Sequence, residues 1–147
     1  MPPNLVLFLE SFVDGGLDRS SWVYTDIPNH RLTLDMAEGL LNPIVVHDDG
    51  NELTVDLGKS HHTHFHGSRY PYGPDIPGAA ADAVQFVRAV ISNGVCVTVD
   101  YLDGRCIGSS HFFLDIEGLT PDTLRESRTG LRGGNIRTDR ILWSGPV

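Results

Sequence analysis

Cysteine is scarce in this chain. Two thiols in 147 residues cannot make the fold a disulfide scaffold. Long apolar runs are missing too: nothing approaches the roughly 18 consecutive apolar residues of a membrane span. Met1-Pro2-Pro3-Asn4 has no basic region, and Leu5-Val6-Leu7-Phe8-Leu9 is short for a signal peptide and is stopped by Glu10. The expectation is a cytoplasmic protein without membrane contact.

Positive charge is in deficit. At a formal net charge of −8, the chain repels nucleic acid unless its basic residues gather in a patch. The imbalance is uneven. Residues 1–74 hold ten acids against four bases, and residues 75–147 hold nine against seven. The tail arginines Arg125, Arg128, Arg132, Arg137 and Arg140 have no aromatic interleaving of the kind that nucleic-acid surfaces use. An acidic front half therefore points either to plain solvation or to a basic protein partner.

The common catalytic signatures are also missing. There is no His-Glu-x-x-His helix, no paired Cys-x-x-Cys and no Gly-x-Ser-x-Gly elbow. Gly130-Leu131-Arg132-Gly133-Gly134 lacks the lysine and the following helix of a phosphate loop. Its backbone N–H groups with Arg132 leave only an anion contact as an option.

What remains fits one α+β domain over residues 1–147, long enough to bury a sizeable core. Leu5–Leu9 opens either a strand or a short buried segment. Asp14-Gly15-Gly16 reads as a turn, and Trp22–Ile27 as a strand. Arg31–Met36 alternates, with Leu32, Leu34 and Met36 on the inner face. Asp49-Gly50 signals a two-residue hairpin between Ile44–Asp48 and Asn51–Leu57, whose Leu53, Val55 and Leu57 share a face. Ser60–His66 is a further strand, and Gly67–Gly78 a Pro/Gly-rich loop.

The apolar spacing of Ala80, Ala83, Val84, Val87, Val90 and Ile91 predicts a helix over Ala79–Asn93, the longest in the chain, with Asp75 near its start and Gly94 beyond its end. Asp103-Gly104 predicts a second hairpin, Val95–Tyr101 with Arg105–Phe113. In that register Tyr101 faces Cys106, Val99 faces Gly108 and Cys96 faces His111. Cys96 and Cys106 then lie on opposite faces and stay unpaired. Thr120 caps a short helix begun by Pro121, Thr129–Asn135 is a loop, and Arg137–Trp143 is the last strand. Helices are too few for alternating βαβ units, so the expected architecture is an antiparallel or mixed sheet packed against one main amphipathic helix.

Histidine is concentrated. His61, His62, His64 and His66 fall within six residues. Alternation along a strand puts His62, His64 and His66 on one face and His61 with Phe65 on the other. Neutral imidazole is a good ligand for zinc and related metals near pH 7. The α-carbons of the three span about 13 Å, so two would converge and a distant residue would complete the site. His111 is the leading candidate, with His47, Asp56 and Asp100 as others. Hydrogen bonding, partner contact and aromatic packing are the competing roles. Cys96 or Cys106 beside His111 can be drawn as a nucleophile and base, but a cysteine opening an apolar strand is ordinary core.

Glu52-Leu53-Thr54-Val55-Asp56-Leu57-Gly58, followed by His61-His62-Thr63-His64-Phe65 and a Pro-rich loop, resembles small bacterial immunity-type proteins of polymorphic toxin systems. Leu142-Trp143-Ser144-Gly145 corresponds to their late Ser-Trp-x-Gly-like segment with Ser and Trp reversed. The resemblance covers Asn51–His111 and the last strand. It implies an inhibitor that binds a toxin domain, and it carries no catalytic residues over.

The leading expectation is thus a non-enzymatic binding protein whose acidic surface, Asp35, Glu38, Asp48, Asp49 and Glu52, meets a basic toxin domain. It has no resident cofactor. The first alternative is a metal-binding protein or metal-dependent enzyme in which His62, His64, His66 and His111 hold a divalent ion such as zinc. The second is a structural subunit of a larger assembly, with an exposed apolar patch, and a homo-oligomer is among the partner options.

Overall fold

The computed structural model describes residues 1–12, 19–36, 39–67, 75–126 and 135–146. Asp14-Gly15-Gly16, Glu38 and most of Thr129–Asn135 lie outside them. The described chain builds two antiparallel sheets and three α-helices. Its α+β class is as the sequence predicts, with two sheets in place of one.

The chain begins with helix α1, Pro3–Ser11. The open choice at Leu5–Leu9 resolves to helix. Pro3 opens it without sacrificing an intrahelical bond. Leu5, Phe8 and Leu9, with Phe12 beyond the end, form its buried stripe. Phe8 and Phe12 both meet Trp22 edge-on at 5.2 and 5.3 Å between ring centroids.

The first sheet is a meander of β1 (Val23–Thr25), β2 (Arg31–Leu34), β3 (Ile44–Asp48), β4 (Leu53–Leu57) and β5 (His61–Phe65) in sequential order. Leu32, Leu34, Ile44, Val46, Leu53, Val55 and Leu57 point into the core, as alternation requires. The β3–β4 hairpin is where expected, but its loop has four residues, Asp49–Glu52, because Asp48 pairs with Leu53. The Asp48 carboxylate accepts from the Gly50 N–H at 2.8 Å, and the Asp49 N–H donates to the Glu52 carbonyl at 3.1 Å. These bonds favour the wider turn over a two-residue one. Between β4 and β5, Gly58 adopts φ +54°, and a Cβ there would come 2.9 Å from the Asn42 carbonyl oxygen.

Helix α2, Ile76–Ile91, is the longest of the described elements. It starts three residues before the predicted Ala79. Asp75 is its N-cap, accepting from the Gly78 N–H at 3.2 Å. Val84 and Val87 are buried and Ile91 is partly buried against the core. The buried arc is wider than the predicted stripe and takes in Ala79 and Phe86. The reason is that α2 packs against α1, against β4 and β5 of the first sheet, and against β6 of the second.

The second sheet has the order β7-β6-β8-β9, with β6 at Val95–Leu102, β7 at Arg105–Phe113, β8 at Ile136–Leu142 and β9 at Gly145–Pro146. Asp103 (φ 50°) and Gly104 (φ 79°) make the tight turn between β6 and β7, with the two positive φ values of a type I′ turn. Tyr101 faces Cys106 as predicted, but a bulge then shifts the register by one residue. Val99 pairs with Ser109 rather than Gly108, and Cys96 with Phe112 rather than His111. The extra residue, Ile107, is invisible to simple counting. Both cysteines are free. Cys96 sits in a small outer cluster with Leu114, Leu142 and Leu124. Leu124 comes from α3, Pro121–Glu126. Thr120 caps α3 as predicted, its hydroxyl accepting from the Thr123 N–H at 3.2 Å.

Candidate functional site

The meander exposes one face. Alternation sends Ile44, Val46, Leu53 and Val55 inward and turns His47, Asp56, His62 and His64 outward. Cross-strand pairing aligns His47 with Thr54 and Thr54 with His64, and likewise Asp56 with His62. Polar side chains thus form a continuous strip across three strands. His47 Nε2 lies 2.7 Å from Asp56 Oδ2. His62 and His64 meet edge-on with ring centroids 5.3 Å apart.

The strip ends at the β3–β4 loop. Asn4 donates its amide to Asp48 Oδ1 at 2.8 Å, and also to the Gly50 carbonyl at 3.1 Å. Thr54 donates its hydroxyl to Asp49 Oδ2 at 2.5 Å. His64 Nδ1 lies 2.9 Å from Glu52 Oε1 and 3.0 Å from Thr54 Oγ1. With the Thr54 proton committed to Asp49, Nδ1 carries the hydrogen that Glu52 accepts. Each loop carboxylate is therefore held by a partner on a regular element. Asp49, Glu52 and His64 are also the group of three metal-ligating side chains that converges among the described residues, with ligand atoms all within 4.8 Å of one another. A cation there would displace the Nδ1 proton, since only the free imidazole nitrogen binds metal.

The predicted acidic surface is thereby divided. Asp48, Asp49 and Glu52 cluster at one end of β3. Asp35 follows the last residue of β2, Leu34, which pairs with Ile44 at the far end of β3, about 15 Å away at strand spacing. It accepts from Asn42 at 2.8 Å. Glu38 lies outside the described residues.

The predicted metal set is divided as well. His62 and His64 share the outer face, His66 is exposed just beyond β5, and His111 lies elsewhere. It belongs to His61, on the inward side of β5. Of the other ligand candidates, Asp100 accepts from Thr138 Oγ1 at 2.5 Å in the second sheet.

β5 and β7 are edge strands of separate sheets that run close together. Across their seam His61 Nε2 lies 2.8 Å from His111 Nδ1, and His61 Nδ1 lies 2.8 Å from Ser109 Oγ. Phe86 of α2 packs on His111 at 4.7 Å between ring centroids and on Phe65 at 5.4 Å. Burial, reinforced by His111 and then His62, holds His61 down at about 4, and burial also lowers His111. Both rings are neutral at pH 7. An open groove of about 650 Å³ runs past this point, lined among others by Asp56, Lys59, His61, His62, Cys106 and Ser109.

Sequence reading missed the seam. The inward parity of His61 was legible, but its neighbours come from residues about fifty positions away in a bulged strand. Comparison with protein-family models, with curated proteins and with solved structures finds no significant match.

Proposed function

We propose that the chain is a binding protein of the immunity type, which neutralises a basic toxin domain by occupying it with the β3–β4 loop. The observation that carries this reading is the tethering of Asp48, Asp49 and Glu52 by Asn4, Thr54 and His64. A carboxylate already fixed in place loses little further freedom when a partner binds. Each retains acceptor sites beyond those its tether uses, so arginine or lysine of a partner can still pair with it. Opposed charge speeds encounter and rejects wrong partners. The toxin assignment rests on the sequence resemblance together with the acidic front half, and the loop supplies its contact surface.

The test needs a basic toxin domain encoded beside this chain. Replacing Asp48, Asp49 and Glu52 together with Asn, Asn and Gln should lower the association rate by about tenfold or more at low salt and flatten its salt dependence. An unchanged rate at low ionic strength would remove the loop from the interface.

A second reading is favoured by one observation, the convergence of Asp49, Glu52 and His64. Two carboxylates and an imidazole suit zinc or manganese. Elemental analysis of untagged protein separates the two readings, because a stoichiometric metal lost in the Glu52→Gln variant supports only the second.

A further inference from the structure

The seam between β5 and β7 brings a hydroxyl and two imidazoles into one hydrogen-bonded line. Ser109 is exposed, His61 lies between it and His111, and Ser109 and His61 line the 650 Å³ groove. The line of atoms admits two sets of tautomers, and one of them prepares a nucleophile. If His61 carries hydrogen on Nε2, it donates to the lone pair of His111 Nδ1, and its own Nδ1 is left to accept from the Ser109 hydroxyl. His111 is in turn wedged against Phe86 and Phe113, so the acceptor it offers is fixed in space. A nucleophile touching a base, with the base oriented by a third group, is the arrangement that activates a hydroxyl.

We propose that Ser109 is a nucleophile toward carboxylic esters, with His61 as its general base and His111 as the residue that positions His61. As the Ser109 Oγ–C bond forms at the ester carbonyl, the hydroxyl proton passes to His61 Nδ1. The tetrahedral intermediate then breaks its bond to the alcohol, which leaves with that proton. Water attacks the acyl-Ser109 by the same route and releases the acid, so ester and water give acid and alcohol. β7 is a sheet edge, and edges carry backbone N–H groups not used by a neighbouring strand. Such groups are the donors an oxyanion requires. The low proton affinity of His61 limits its power as a base but keeps it neutral well below pH 7. This site is separate from the β3–β4 loop and does not depend on what the loop binds.

The full chain is treated with a fluorophosphonate, modified peptides are mapped by mass spectrometry, and hydrolysis of p-nitrophenyl acetate is followed in parallel. The expected label is on Ser109, and both label and hydrolysis are lost in Ser109→Ala, an exposed change that leaves the core intact. His61→Ala should lower the rate by about a hundredfold, within the usual span for a general base. His111→Ala should lower it too, and His111→Asn should restore most of it, because the Asn oxygen replaces Nδ1 as acceptor. A purely structural role would not distinguish Asn from Ala in this way. Cys106→Ala should still carry the label on Ser109 and still hydrolyse the ester. The proposal is overturned if Ser109 stays unlabelled, if Ser109→Ala hydrolyses at the wild-type rate, or if Cys106→Ala abolishes the reaction.

Discussion

Acid should destabilise this protein through the His61–His111 pair before general acid unfolding begins. His61 moves from an ordinary 6.5 to about 4 on folding, chiefly because burial disfavours its charged form. The unfolded chain therefore binds more protons between these values, and stability rises with pH there. The contribution is complete above about 6.5 and is lost as pH falls toward 4. At 1.36 kcal/mol per pH unit, the ceiling is about 3.4 kcal/mol. His61 is only half-buried, so screening by water reduces the expected effect to roughly 1–2 kcal/mol. His111, lowered by the same cause, acts in the same direction. Asp56, Lys59 and His62 border the same groove, so wild-type protein must be compared with a variant that keeps them. His61→Gln/His111→Gln is suitable. Urea midpoints measured from pH 7.5 to 4.5 should fall about 0.5–1 M further for the wild type than for the variant, taking roughly 2 kcal/mol per M for the denaturant slope. Parallel curves across that window would refute the reasoning, since the carboxylates shared by both proteins would then account for all of the acid sensitivity.

Two further outcomes follow from packing. Phe86 is fully buried where α2, β5 and β7 meet. Phe86→Ala should cost about 3–5 kcal/mol in urea unfolding, and a loss under 1 kcal/mol would mean that the seam is loosely packed. Cys106 is exposed, while Cys96 is buried and burial pushes its thiol up. A thiol reagent should modify Cys106 at once in folded protein and Cys96 only after denaturation. Equal rates for the two would contradict the outer cluster around Cys96.

Sequence alone determined what depends on neighbours along the chain. Strand alternation separated His61 from His62 and His64, and it placed Leu53, Val55 and Leu57 inward, because side chains on a strand change face at every residue. The periodic apolar positions of α2 and the turn chemistry of Asp103-Gly104 were equally local, and so equally legible. Tertiary structure decided the rest. Phe86 is buried because α2 has neighbours on several sides, whereas a single apolar stripe records only one. The bulge at Ile107 moved Ser109 and His111 onto the inner face of β7, and no local residue pattern specifies one extra residue in a hairpin arm. His111 therefore joined His61 rather than the outer histidines, while His64 found Glu52 through the width of the β3–β4 loop. Asp35 parted from Asp48 because β2 and β3 run antiparallel, which sends acids close in sequence to opposite ends of one sheet. Charge counted along a chain carries no direction in space, and the pairing of strands supplies it.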